Sequence, residues 1–195
     1  NAAFGVVIAH HANEEIPDRT TTRNVVQGNL IGTDLTGAPR LGNVGHGVYI
    51  FNGAIANSIG GTASHAGNLI AGNQRAGVAV FDAVNFGAGV FRSNANSIRG
   101  NGIHSNGALG IDLVPGQASD TSPGDGVTSN DACDNDEGGN ELQNFPVLAA
   151  AVAGATTRVI GHLNSSPNVI FTLDFYASDS ADPSGFGEGG RYLGS

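Results

Sequence analysis

The sequence predicts an all-β chain whose larger part is a right-handed parallel β-helix, and three observations predict it. Aliphatic positions recur at nearly constant separation: Phe4 and Val25 are 21 apart, Leu30 and Ile50 are 20 apart, and Ile50 and Ile70 are again 20 apart. The segments that carry them are short and alternate with period two, as in GVVI at 5–8, GVYI at 47–50, GVAV at 77–80 and GIDL at 110–113. Such alternation marks a strand with one buried face. Gly and Asn separate the segments, so each strand ends in a corner, and a period in this range is a solenoid signature. Successive strands then pair in parallel, with right-handed crossovers.

Taken in order, the strand positions from Phe4 to Leu113 place the β-helix at residues 1–114, with about one coil per 20 residues. Asn52, Asn73 and Asn94 are each 21 apart and predict a ladder of stacked amides that satisfies turn backbone. The phrase Asn-x-Ile-x-Gly-Asn occurs in NLIAGN at 68–73 and in NSIRGN at 96–101, a spacing of 28 that breaks the regular period. The extra length is assigned to a bulged coil at FDAVNFGAGVFRSNA, 81–95, with a similar excess at 33–44. Residues 115–140 form an acidic Gly- and Asp-rich loop, too long for an ordinary connection. Residues 141–195 read as antiparallel β, with RVIGHL and VIFTLDFY as a hairpin around NSSPN.

Composition limits the function. The core is built from small aliphatics, because the chain has 9 Phe and 3 Tyr but no Trp or Met. A net charge of −9 without a basic face excludes nucleic acid and an anionic membrane surface. No apolar run approaches the roughly 18 residues of a spanning helix. The single Cys133 excludes an internal disulfide framework. The chain opens on Asn1 rather than Met, which reads as a processed or excised segment.

The run from NVVQGN at Asn24 to GIDL at Leu113 resembles the parallel β-helix repeats of large bacterial secreted and cell-surface proteins. NSIGG at 57–61 and GNGIHSNGALGIDL at 100–113 are similar to their rungs. NELQNFPVL at 140–148 and DPSGFGEGGRYLG at 182–194 are similar to the segment that follows the helix in them. The resemblance implies an extracellular or cell-surface location, and a chain that stops partway through a second, β-sandwich-like domain.

Chemistry-bearing residues are sparse. Gly45-His46-Gly47 resembles a tripeptide of the polygalacturonases. The Asp pair on adjacent coils that they use as acid and base has no counterpart here, and Ser97-Ile98-Arg99 does not match their Arg-Ile-Lys. No catalytic residue is therefore assigned. His10-His11 with Glu14-Glu15 has a metal-site composition, but neighbouring strand residues point to opposite faces. The acidic loop is the best ion-binding candidate. Asp125, Asp131, Asp134, Asp136 and Glu137 are expected to offer a calcium ion the oxygen ligands it requires.

The expected function is a non-catalytic structural or adhesive module of a larger secreted or surface protein, with polysaccharide as the ligand class. The alternative is a polysaccharide lyase or glycoside hydrolase of the pectin-degrading β-helix type. Open β edges at the ends of the helix are expected to allow self-association.

Overall fold

In the computed structural model, which describes residues 3–10, 21–85, 89–117 and 123–195, the N-terminal part forms three parallel sheets. Sheet one contains β1 (Val6–Ala9), β4 (Val48–Phe51), β7 (Val78–Asn85) and β11 (Ile111–Gln117), in that order. Sheet two contains β2 (Val25–Val26), β5 (Ser58–Gly60) and β9 (Ser97–Arg99). Sheet three contains β3 (Leu30–Ile31), β6 (Leu69–Ala71) and β10 (Gly102–His104). The chain visits sheets one, two and three in rotation, returning each time beside its previous strand. β8 (Gly89–Phe91) departs from this order and folds back antiparallel on the end of β7.

The register corrects the expected period. In sheet one Val48 pairs with Val78, and Val78 with Ile111. In sheet two Val25 pairs with Ser58, and Ser58 with Ser97. The corner asparagines that bond across neighbouring circuits are separated by the same steps, 30 for Asn43 and Asn73, 33 for Asn24 and Asn57, and 39 for Asn57 and Asn96. A circuit is therefore well longer than the expected coil. The spacing of 20 is real but has another origin. Three strand sites share each circuit, so a step of about two thirds of a circuit lands on an inward residue of a different sheet. Ile50 lies on β4 of sheet one, and Ile70 lies on β6 of sheet three. The spacing of 28 has the same explanation: Asn68 precedes a strand of sheet three and Asn96 one of sheet two.

The core follows from this register. Ile8, Ile50, Val80 and Leu113 stack across sheet one, Val26, Ile59 and Ile98 across sheet two, and Ile31, Ile70 and Ile103 across sheet three. These inward side chains form one cluster, in which Val48, Ile50, Ile59, Ile70, Val78 and Val80 are fully buried. Small aliphatics suit a core only one side chain deep from each of three walls. Close approach also selects glycine at corners: at Gly60, with φ +81°, a Cβ would lie 2.3 Å from the Arg99 carbonyl of the next circuit.

Sheet one has a second apolar layer on its outer face, made by Tyr49, Ala76, Ala79, Phe81 and Val114 with Phe4 and Phe51 against it. Tyr49 is stacked on Phe51 at 4.5 Å between ring centroids and meets Phe81 edge-on at 5.2 Å.

Beyond β11 the pairing becomes antiparallel. β12 (Val147–Val152) pairs with β13 (Arg158–His162), and β14 (Phe175–Ala177) pairs with β15 (Arg191–Gly194). The hairpin therefore differs from the expected one. RVIGH turns back on VLAAAV through residues 153–157, while Phe175 and Tyr176 at the end of VIFTLDFY, with Ala177 after them, take RYLG as their partner. β11 also runs to Gln117, so strand structure extends into the segment expected to be all loop.

Candidate functional site

Two constructions place polar side chains in defined positions: three rows of asparagine along the corners between the sheets, and an acidic segment beyond the last circuit. Asn24, Asn57 and Asn96 each precede a strand of sheet two. The Nδ2 of Asn24 donates to Oδ1 of Asn57 and that of Asn57 to Oδ1 of Asn96, both at 2.9 Å, and the backbone N–H of each donates to the same oxygen. Asn29, Asn68 and Asn101 form the same row ahead of sheet three, with Nδ2 to Oδ1 distances of 3.0 and 2.9 Å. Asn43, Asn73 and Asn106, each five positions ahead of a strand of sheet one, form the third at 2.7 and 2.8 Å.

The expected ladder of Asn52, Asn73 and Asn94 is corrected by these bonds. Asn73 stands in the third row, whereas Asn52 donates to the His10 carbonyl and Asn94 to the Glu141 carboxylate. A ladder needs residues one circuit apart, and the spacing of these three is less than a circuit. Asn57, Asn68, Asn96 and Asn101 are all buried, and each amide exchanges water for row partners or for backbone carbonyls, as Asn68, Asn96 and Asn101 donate to those of Val26, Ala54 and Ile59.

The rows end on residues of the C-terminal part. Oδ1 of Asn140 accepts the Asn96 N–H at 2.9 Å, and Glu188 accepts both the N–H and Nδ2 of Asn106, at 3.1 and 3.0 Å. The Gly189 carbonyl accepts the N–H of Ile103, and the Tyr176 hydroxyl accepts that of Gly100. Arg99 pairs with Asp174 through both Nε and Nη2, which holds the Asp174 carboxyl below its ordinary range. Between the last circuit and this segment lies a cleft of about 990 Å³, lined in part by Ile98, Ile103, Leu113, Leu142, Phe145 and Phe186.

The acidic segment is folded around Asn144. Its Oδ1 accepts the N–H of Asp131, its Nδ2 donates to the carbonyls of Asp131 and Asn164, and its own N–H donates to Asp134 Oδ1 at 2.7 Å. Ser165 donates to the other oxygen of Asp134. This clamp brings one carboxylate oxygen each from Asp131, Asp134 and Asp136 within 4.8 Å of one another. Oδ1 of Asp136 is buried without a hydrogen-bond partner. Burial, and then the charges of Asp131 and Asp134, raise the Asp136 pKa. Oxygens at such separations can share one hard cation, whose ligand distances are about 2.3–2.6 Å for calcium.

Two of the five expected ligands lie elsewhere. Glu137 pairs with Arg92, which also bonds buried Asp82 at 3.1 Å. Asp125 lies beside Asp112, on the outward face of β11, where residues 123–128 cover it. Asp112 is only 1% exposed, its Oδ1 has no partner, and burial followed by the Asp125 charge pushes its pKa to about 6.

Asp112 and Asn144 were not legible as site residues, since one sits in a regular strand pattern and the other outside the acidic run. The Asn-rich NELQN after so many carboxylates was the available signal for Asn144. His46 is fully buried beside Phe4, Tyr49 and Phe81, so the Gly-His-Gly tripeptide packs a core. His11, Glu14 and Glu15 lie outside the described residues, and buried His10 packs near Phe91. No helix among the described residues is long and apolar enough to cross a membrane. Comparison with protein-family models, with curated proteins and with solved structures finds no match.

Proposed function

We propose that the chain is a right-handed parallel β-helix of three walls with an attached antiparallel segment, serving as a non-catalytic structural or adhesive module of a larger secreted or cell-surface protein. The observation that carries this reading is the use of the asparagines. Along each row their amides bond one another and neighbouring backbone carbonyls, so the repeated polar residues specify shape and leave the outer walls to recognition. The arginines Arg92 and Arg99 are likewise engaged in ion pairs that tie strands and the C-terminal segment to the last circuit. Neutral polysaccharide is the favoured ligand class, because a charge of −9 repels polyanions. Affinity electrophoresis in gels containing neutral or acidic polysaccharides tests this: retardation by neutral polymers is expected, and free migration in all of them would contradict it.

Calcium is proposed at Asp131, Asp134 and Asp136. The partnerless Asp136 oxygen supports it, since a cation would supply the missing interaction. Binding to the folded state raises the unfolding midpoint. Millimolar calcium is expected to raise it and chelator to lower it, with Asp136→Asn abolishing the difference. An unchanged midpoint in both conditions would leave the segment as a hydrogen-bonded clamp only.

The alternative, a lyase or hydrolase, is favoured by one observation: Asp112 and Asp125 are neighbouring carboxyls with unequal environments, the arrangement that separates acid from base. Against it, Asp112 is sealed from solvent and from any polymer. Turnover of polygalacturonate or alginate that Asp112→Asn abolishes would establish it.

A further inference from the structure

The asparagine rows have a direction. In each, the carboxamide and backbone N–H groups of one circuit donate to the Oδ1 of the next, so every row offers oxygens toward its N-terminal end. Toward the C-terminal end the chain carries its own stops, Asn140 and Glu188. At the other end, among the described residues, sheets two and three have none. Among the described residues nothing donates to Oδ1 of Asn24 or Asn29, and the outer edges of β2 and β3 pair with no strand. Asn24 and Asn29 are exposed where their row partners Asn57 and Asn68 are buried, and Val25 and Leu30 beside them are 61% and 46% exposed.

We propose that this end is a docking surface for one further parallel β coil carrying asparagine at its corners. The inference rests on the β-helix reading above, and it continues the interface that already joins each circuit to the next. The chemistry of the occupant is fixed by what the surface lacks. It must present a backbone N–H and a carboxamide NH₂ at each of two corners, one wall apart, with aliphatic side chains between. A second copy of this chain does not supply them. Head to tail, its C-terminal stops stand in the way; head to head, Oδ1 acceptors face Oδ1 acceptors. Asn1-Ala-Ala-Phe-Gly5-Val6 repeats the spacing of Asn43 to Gly47-Val48, Asn73 to Gly77-Val78 and Asn106 to Gly110-Ile111.

The test is to place a second copy of residues 43–72 directly ahead of Asn1, so that Asn1 follows the copy in sequence as Asn73 follows residue 72. Ser58 and Leu69 donate their N–H groups to the Asn24 and Asn29 carbonyls of the preceding circuit. Their counterparts, Val25 and Leu30, should do the same toward the added coil, and amide exchange there should slow by about tenfold or more. The same extension with alanine in place of its two corner asparagines, the copies of Asn57 and Asn68, should give little protection. Unchanged exchange at Val25 and Leu30, or equal protection by both extensions, would overturn the proposal. So would a dimer of the unextended chain in sedimentation with these amides already slow. Asn68→Ala in the unextended chain separates the two levels. If it leaves the unfolding midpoint unchanged, the β-helix reading itself fails. If it lowers the midpoint while the added coil protects nothing, only the docking surface is lost.

Discussion

Asp112 is where a single residue departs furthest from what its neighbours in the chain suggest. In GIDL it reads as the outward, solvated member of an alternating strand, and its direction is right. What strand periodicity cannot reveal is that residues 123–128 return to cover it, because that contact depends on how a Gly-rich segment packs. With its pKa raised to about 6, the folded state holds a proton that the unfolded chain releases near 4. The stability contributed by the neutral form is therefore full below about pH 4 and is lost as pH rises through 6. Asp112→Asn, which keeps the neutral shape, is expected to match the parent chain in urea unfolding at about pH 4 and to exceed it at about pH 7.5. Equal midpoints at both pH values would mean that the carboxyl is solvated.

At the scale of the element, the sequence shows the strands of sheet one but misassigns how strands add up. The phrase Asn-x-Ile-x-Gly-Asn spans one wall: an asparagine corner, an inward aliphatic, a glycine turn and the next corner. Asn68 to Asn73 is the wall of β6 and Asn96 to Asn101 that of β9, so the two copies belong to different sheets. The strands of sheet one were legible because inward and outward residues alternate within each. The circuit was not, because three similar walls generate spacings that mimic a shorter repeat. The acidic cluster was legible in part: Asp131, Asp134 and Asp136 come together, while Arg92 and the outer face of β11 draw Glu137 and Asp125 away. The rows make a graded prediction. Asn68→Ala leaves donors and acceptors of two circuits unpaired in a buried site and is expected to cost about 2–4 kcal/mol. Asn29→Ala, at the exposed head of the same row, should cost less than about 1 kcal/mol. Thermal or urea unfolding of the two variants checks the order. Gly60→Ala combines a left-handed backbone with a Cβ against the Arg99 carbonyl, and a loss of about 2–4 kcal/mol is expected in the same measurement.

For the whole molecule, the asymmetry between the two ends governs behaviour. The last circuit is closed by Asn140, Glu188, Tyr176 and the Arg99–Asp174 pair, so the antiparallel segment covers strand edges that would otherwise be free. Replacing Glu188 with alanine removes the acceptor that ends the third row. The segment around Gly189 is then expected to exchange its amides faster than in the parent chain, while β4 and β7 keep their protection. Loss of protection throughout would instead mean that the two parts fold as one unit. Both outcomes presuppose that Val48 and Val78, rather than Ile50 and Ile70, are neighbours across one circuit.

Oxidative cross-linking of paired cysteines tests that register most directly. Ser58 and Ser97 are partners on adjacent strands of sheet two, and both point away from the core. With Cys133 replaced by serine, Ser58→Cys with Ser97→Cys is expected to form an intramolecular disulfide under mild oxidation, since neighbouring strands lie about 4.8 Å apart and disulfide Cα atoms about 4.4–6.8 Å. Ser58→Cys with Ala79→Cys, a pair that the shorter period would bring together, is expected to stay reduced. The reverse pattern, a bond between positions 58 and 79 and none between 58 and 97, would contradict the three-wall circuit.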